Sequence, residues 1–378
     1  MTKLEQLIEE LCPNGVEYVS LGTVCTIAKG VQFNKADMND AGTYPVINGG
    51  INPSGYIEQY NQDENTITIS QGGASAGYVN WLETKFWAGA HCYVLKPKAN
   101  LLNRYAYHFV KSQERKLQEC QYGAGIPALA KGTVESLSIP VSPLPVQSEI
   151  VRILDNFTEL SAELSAELSA RKKQYEHFEY RLLFDNDYEK VKLQELCTVN
   201  QGLQVAISNR FNSPAPNRYM YITVQFLKNK EDNQYYIENP DEQVICHKDD
   251  ILVTRTGSTG VIISGVEGCF HNNFFKVNCN EKIDKKYMLC LLRSKLMYKK
   301  MLDAASGGSV PDLPHKKFYN LEVPLPPLSE QQRIVAILNK FDTLCNDISE
   351  GLPAEIEGRR KQYEYYRDKL LTFKNIEG

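Results

Sequence analysis

Apolar positions fall three and four apart over two long stretches of the chain. In the first, the stripe runs through Ile150, Ile153, Leu154, Phe157, Leu160, Leu164, Leu168, Tyr175, Phe178 and Leu182, with Arg152, Glu163, Glu167 and Lys172 on the other side. That spacing predicts an amphipathic helix. In the second, Ile334, Ile337, Leu338, Phe341 and Leu344 form the stripe. It resumes at Ile356, Tyr363, Tyr366, Leu370 and Phe373 after the interruption Gly351-Leu352-Pro353. Ser329 to Gln332 spells a capping box, and Pro145 holds the matching place in the first copy, acceptable at a helix start. Two such helices from one chain would bury their stripes on each other as an antiparallel coiled coil. The pairing positions are then Ile150, Leu154, Phe157, Leu164, Leu168, Phe178, Ile334, Leu338, Phe341, Tyr363, Tyr366 and Leu370.

Elsewhere the pattern is that of short strands and turns. Residues 3–11 predict a short helix ending before Pro13-Asn14-Gly15. TITIS (66–70) and CYVLK (92–96) read as strands, residues 101–120 as a helix, YGAGIPAL as a glycine-rich turn, and LSIPV as an exit strand whose Pro140 suggests an edge. The order recurs later: ILVTRTG (251–257) and FFKVNC (274–279) as strands, 285–305 as a helix, SGGSVPDL as the turn, LEVPL as the exit strand. Each half reads as a mixed α+β globule with a strand-rich body, not as alternating βαβ units.

The recurrence is in the letters too. Residues 123–160 and 307–344 match at fourteen of 38 positions, at an offset of 184. RKKQYEHFEYRLL at 171–183 matches RRKQYEYYRDKLL at 359–371, and VSLGTVCTIAKGVQ at 19–32 matches VKLQELCTVNQGLQ at 191–204. So long a period means two halves rather than a solenoid. The expected organisation is a strand-rich body at 1–142, a spacer helix at 143–185, a second body at 186–325 and a second spacer helix at 326–378. Within the first spacer, TELSAELSAEL (158–168) repeats a four-residue block. Each block adds about 6 Å of helix.

Composition narrows the function. The net charge is −4, so the chain is not a basic domain that would grip nucleic acid by itself. Ten cysteines without a C-x-x-C pair or zinc spacing suggest buried, reduced thiols and a cytoplasmic protein. The acidic start is no secretory signal, and no apolar run approaches a membrane span. No Asn/Asp-Pro-Pro-aromatic adenine-methylation motif and no G-x-x-x-x-G-K-S/T phosphate loop is present. The six histidines show no pairing with an acid or nucleophile, and Asp241 with Asp284-Lys285-Lys286 is only a stretched metal-nuclease pattern. The reading is a non-enzyme: no catalytic residue, no metal.

The chain resembles the specificity subunit of type I restriction–modification systems over essentially its whole length. The resemblance rests on two copies of P-L-x-x-Q-x-x-I-V-x-I-L-x-x-F (143–157 and 327–341), the paired K-Q-Y-E endings (173–176 and 361–364) and the T/S-A-E-L block. It implies two target-recognition domains, each reading half of a split, asymmetric double-stranded DNA site. It further implies helices that set the gap and seat two adenine-methyltransferase subunits, with ATP-dependent restriction/translocase subunits joining for cleavage. S-adenosylmethionine, ATP and Mg would then sit on those partners, and no cofactor on this chain. One departure is the four-residue difference between the helix arms, with Gly351 and Pro353 in the second.

Candidate DNA contacts are polar, glycine-bearing loops. TRTGSTG (254–260) offers Arg255, suited to guanine, with Ser258 and Thr259; its counterpart SQGGASAG (70–77) offers Gln71, suited to adenine, with Ser75. Lys29, Gln32 and Lys35, and then Gln204, Asn209 and Arg210, follow the shared opening motif; Lys131, Lys316 and Lys317 stand beside the second glycine turn as phosphate contacts. The plain alternative for each is a solvated surface side chain. Three other functions stay open at this point. One is a coiled-coil assembly protein without sequence-specific recognition. The others are the specificity chain of a related non-translocating bipartite system, and a metal-dependent nuclease acting alone.

Overall fold

A computed structural model of the chain describes residues 2–39, 41–123, 125–185, 187–229, 234–307, 310–346, 349 and 351–376, excepting the side chains of Asp37 and Lys228. Contacts gather the chain into two compact units, Met1–Ala166 with Glu355–Gly378, and Glu167–Ala354. Each is α+β, and each takes in part of the long helices as well as a strand-rich body.

In the first unit an antiparallel sheet runs in the order Cys25–Lys29, Cys92–Pro97, Thr66–Ser70, Val79–Leu82. Strand alternation sorts its side chains between two cores. Tyr93 and Leu95 join Ile67, Ile69, Tyr105 and Phe109 on one face, while Cys92 and Val94 meet Ile47, Leu82 and Phe86 on the other. Covered on both faces, Thr66–Ser70 is buried along its whole length. A smaller sheet orders Tyr56–Ile57, Tyr44–Ile47 and Trp87–Ala88, the last two parallel. Glu17–Ser20 pairs with Ser138–Val141 in a two-stranded ladder. Pro140, which cannot donate to a ladder, sits there opposite Tyr18.

The second unit repeats this scheme. Its first sheet is Cys197–Gln201, Phe274–Cys279, Ile251–Thr254, Ile262–Ile263. Its second is Tyr236–Glu238, Arg218–Ile222, Gly268–Phe270, Ile245–Cys246, with Tyr221 parallel to Cys269. Lys190–Lys192 pairs with Glu322–Pro324.

Both single helices expected in the bodies are broken. Residues 101–120 fold as Asn103–Ser112 and Glu114–Glu119 around Gln113. Residues 285–305 fold as Lys285–Arg293 and Lys295–Ala304. Between the latter two, Ser294 is extended (φ −60°, ψ 147°) and its hydroxyl accepts from Met297 N, so a capping serine starts a new helix.

The first long helix is continuous, Leu144–Leu183. Pro145 lies in its first turn, where a missing N–H costs nothing. The second arm is two helices, Leu328–Asn346 and Leu352–Leu370, with Pro353 in the first turn of the latter. The expected capping box does not form: the helix already begins at Leu328, which puts Ser329 inside the first turn. Glu330 instead pairs with Arg333 at 2.7 Å.

The apolar stripes pair within each unit. Ile150 and Leu154 are buried with Leu371, and Phe157 stacks on Tyr366 with ring centroids 5.4 Å apart. Ile334 and Leu338 are buried with Leu183, and Phe341 stacks on Phe178 at 5.8 Å. By the offsets of the repeat, Phe157 matches Phe341 and Tyr366 matches Phe178, so one contact is made in each unit. Leu164 is buried, and Leu168, Tyr363 and Leu370 are half-buried.

A repeated amide joins body to helix. Gln147, fully buried, donates to Ser142 O and Asn100 O (3.0 Å) and accepts from Leu102 N at 2.8 Å. Gln331, equally buried, donates to Pro326 O and Lys282 O (3.2 Å) and accepts from Asp284 N at 2.7 Å. The same three backbone groups are satisfied twice, which explains a glutamine at that place in both motif copies. In the first unit a further cluster pins the last helix: His108 bonds Asp155 at 2.8 Å and Tyr363 at 3.1 Å, while Arg104 bonds Asp155 at 2.7 Å. Past that helix the chain returns to the body, where Val16 N donates to Lys374 O at 2.9 Å. No helix among the described residues is long and apolar enough to cross a membrane.

Candidate nucleic-acid interface

In each unit, four stretches of chain converge where the central strands end. The opening strand runs into Gly30 or Gly202 and passes tightly over its neighbour. A Cβ at Gly30 would collide with the carbonyls of Ala88 and Gly89, and one at Gly202 with those of Phe270 and His271. That close approach accounts for the glycine shared by the two opening motifs. Gly30 N then donates to Cys92 O (2.9 Å) and Val31 N to Ala88 O (2.8 Å); Gly202 N donates to Phe274 O (3.1 Å) and Leu203 N to Phe270 O (3.0 Å).

The next strand delivers the loops singled out above. Gln71 N donates to His91 O at 2.8 Å and Arg255 N to Asn273 O at 2.6 Å. The second glycine turn closes on the same loops: Leu129 N donates to Gln71 O (2.8 Å), and Leu313 N to Arg255 O (3.0 Å). Gly123 and Gly307 make that turn with φ of 106° and 113°, a left-handed backbone that favours glycine. Gln71 and Arg255 therefore stand on the same backbone frame, beside Ala128 in one unit and Asp312 in the other.

The candidate side chains divide into accessible and committed. Lys29, Gln32 and Lys35 are exposed around the end of the opening strand, and Gln71 and Ser75 are half-buried on the edge. Lys131 lies exposed on the short helix Lys131–Glu135, ion-paired to Glu135 at 2.9 Å. In the second unit Asn209, Lys316 and Lys317 are exposed, Ser258 is half-buried, and exposed Gln204 accepts from Asn272 at 2.9 Å.

Two candidates are engaged by other parts of the protein. Thr259 is 3% exposed, and its hydroxyl donates to Pro311 O at 2.6 Å. It braces the glycine turn from within at a place where the first unit has buried Ala76, so it is not free for a phosphate. Arg210 turns its guanidinium inward, donating twice to Val205 O (3.0 and 2.8 Å) and lying 4.9 Å from the Tyr221 ring. That arginine holds its own loop.

Arg255 is held differently, by Asp312, with Nε at 2.8 Å and Nη2 at 3.2 Å from the carboxylate oxygens. Beside them burial pushes the His315 imidazole below its ordinary pKa, Arg255 adds to that, and Asp312 opposes it. His271 is lowered by burial and then by Arg210. Sequence reading missed Asp312. Its signal was there: the two repeats pair Gln71 with Ala128 and Arg255 with Asp312, a matched change of charge. Asp284, entertained as a metal ligand, caps the helix Lys285–Arg293 by accepting from Lys286 N and Tyr287 N. Among the described residues no group of three His, Cys, Asp or Glu side chains could hold a metal ion.

The profile of the type I restriction modification DNA specificity domain matches this chain twice, over residues 13–171 and 185–358. A putative type I restriction enzyme specificity subunit of Haemophilus influenzae is 32% identical, the match covering 98% of each chain. The specificity subunit of an Escherichia coli type I restriction enzyme is 28% identical, over 99% of this chain and 97% of the relative. Among solved structures, the type I restriction–modification S subunit from M. genitalium aligns with a TM-score of 0.59 at 20% identity, covering 94% of this chain and 96% of that one. With the profile matched in both halves and a relative aligned end to end, the chain belongs to the family of type I restriction–modification DNA specificity subunits.

Proposed function

We propose that each unit reads one half of a split double-stranded DNA site through the loop edge described above. The paired helices set the distance between half-sites and seat two adenine-methylating subunits. ATP-dependent restriction subunits join that complex for cleavage. This chain contributes recognition and spacing. The methyl donor, ATP and Mg belong to the partners, whose methylating subunits would flip an adenine into their own pockets.

The observation that carries this reading is the shared frame with private side chains. Leu129 N to Gln71 O and Leu313 N to Arg255 O are one hydrogen bond made twice, yet the residue presented is an amide in one unit and a guanidinium in the other. A carboxamide can pair with adenine N6/N7 and a guanidinium with guanine O6/N7. One frame presenting two different side chains is what the reading of two different half-sites requires. The exposed lysines 29, 35, 131, 316 and 317 supply phosphate contacts that set register without specifying bases.

The test is modified-base sequencing of a methylation-free host that expresses the chain with its methylating subunit. A split motif with methyladenine in both halves and a fixed gap is expected. A complex that forms and binds its methyl donor but leaves no motif would overturn the reading.

A further inference from the structure

Resting on that DNA-reading edge, we propose that Asp312 is a positioning residue that presents Arg255 as a pre-set reader of one guanine in the second unit's half-site. A guanidinium carries five N–H groups in a rigid plane. Asp312 takes the side-on pair, Nε at 2.8 Å and Nη2 at 3.2 Å, and Gln201 Oε1 lies 3.4 Å from Nη1. On the edge of the plane away from the carboxylate, each terminal nitrogen carries one more hydrogen. They form the end-on fork whose spacing suits the paired acceptors O6 and N7 of guanine. The side chains of Arg255 and Asp312 are 36% and 30% exposed, so the pair stands at the surface rather than inside the core.

Both residues are anchored through their backbones. Asp312 exchanges hydrogen bonds with Ser306 at 2.8 Å in each direction, and Leu313 N donates to Arg255 O at 3.0 Å. A carboxylate fixed on one side of the arginine removes rotamer freedom before DNA arrives, which lowers the ordering cost of binding.

Two sources offer the fork a pair of acceptors, a guanine edge and a backbone phosphate. The carboxylate decides between them. Asp312 cancels the arginine's charge, which weakens attraction to a phosphate, while the directional hydrogen bonds to a base edge remain. The first unit carries Gln71 and Ala128 at these places, so it has no such pair. An ion pair needed to close the glycine turn would be needed in both units, because Tyr122 bridges Ala128 as Ser306 bridges Asp312. A specificity device, by contrast, belongs to one half-site.

The test uses the complex of this chain with its methylating subunit. Binding is measured to duplexes in which each base pair of both half-sites is replaced in turn, at two salt concentrations. Wild type, Arg255→Lys, Asp312→Asn and the double variant are compared. Wild type is expected to prefer guanine at one position of the second half-site by about 5- to 150-fold, the discrimination of one bidentate pair. Each single variant should lose most of that preference there, keep every other preference, and leave the first half-site untouched. The double variant should lose little more than either single one.

A loss uniform over all sequences, with a salt slope shallower by about one, would identify a phosphate contact and overturn the proposal. An unchanged profile would reduce the pair to a structural role and overturn it as well. Failure of the DNA-reading edge itself looks different, because wild type would then discriminate at no position. A misfolded variant would lose both half-sites together. In that case Arg255→Gln takes over, with an altered base at that one motif position in modified-base sequencing as the supporting result and an unaltered motif as the contrary one.

Discussion

The glutamines at 147 and 331 show how little of a residue's work is written in its own letter. Each is identical between the repeats, yet its partners are main-chain groups of Asn100, Leu102 and Ser142, or of Lys282, Asp284 and Pro326. Backbone partners leave no pattern in a sequence, so identity was legible and role was not. Removing either amide strands buried donors and acceptors. Gln147→Ala and Gln331→Ala are each expected to cost roughly 2–4 kcal/mol, read as a lower denaturant midpoint. A loss well under 1 kcal/mol would contradict the account. Arg210 and Thr259 teach the complement: a polar residue in a promising loop can face inward, and only the fold shows which way it turns.

His108 adds a pH dependence at the same scale. Burial pushes its imidazole below the ordinary range; bonding to Asp155 partly offsets this, and Arg104 and Arg367 lower it further. The neutral ring donates from Nε2 to Asp155 and accepts at Nδ1 from the Tyr363 hydroxyl. Unfolding restores an ordinary histidine, near pH 6.5. As pH falls below that value the unfolded chain binds the extra proton, so stability is full above it and declines toward the lowered folded value. Denaturant midpoints measured from pH 7.5 to 5 should fall more steeply for wild type than for His108→Gln. Equal slopes would contradict the assignment.

At the scale of elements, the long apolar periods were legible and the joints were not. The 3–4 spacing placed the first long helix, and short β-branched runs placed the buried strands, because burial itself makes those patterns. The breaks fall at Gln113 and Ser294, single polar residues within an apolar stripe that do not by themselves mark a helix end, and Trp87–Ala88 is too short to show a period. The four-residue block has its own mechanics. Leu164 is buried and Leu160 and Leu168 are half-buried, while Ala162, Glu163, Ser165, Ala166 and Glu167 are exposed. Four residues advance the helix about 6 Å and rotate it only about 40° past a full turn, so an added block keeps the leucines near one face. Inserting one Ser-Ala-Glu-Leu block after Leu164 should lengthen the methylated motif's gap by about one to two base pairs, at some 3.4 Å each, with both half-sites kept. An unchanged gap would remove the helix as the spacer.

For the molecule as a whole, repetition in the sequence announced two similar halves, a family and a division of labour. It did not announce that each compact unit includes part of a helix shared along the chain, because a continuous stripe carries no mark where its contacts change hands. The net charge of −4 limits what the chain does unaided. Its own binding to DNA should be weak and show a shallow salt dependence, steepening when methylating subunits join; tight, salt-steep binding by the isolated chain would contradict that.

On the proposed function, each body reads its own half-site. One ladder closes each body, Glu17 opposite Val141 in the first and Lys190 opposite Pro324 in the second, which marks where a body can be exchanged. The most direct test replaces residues 189–325 with a second copy of 17–141 and reads the methylated motif by modified-base sequencing, after confirming that the methylating subunit still binds. The expected motif carries the sequence of the first half-site in both halves, about a fixed gap. An unaltered asymmetric motif, or no motif from an intact complex, would contradict the claim.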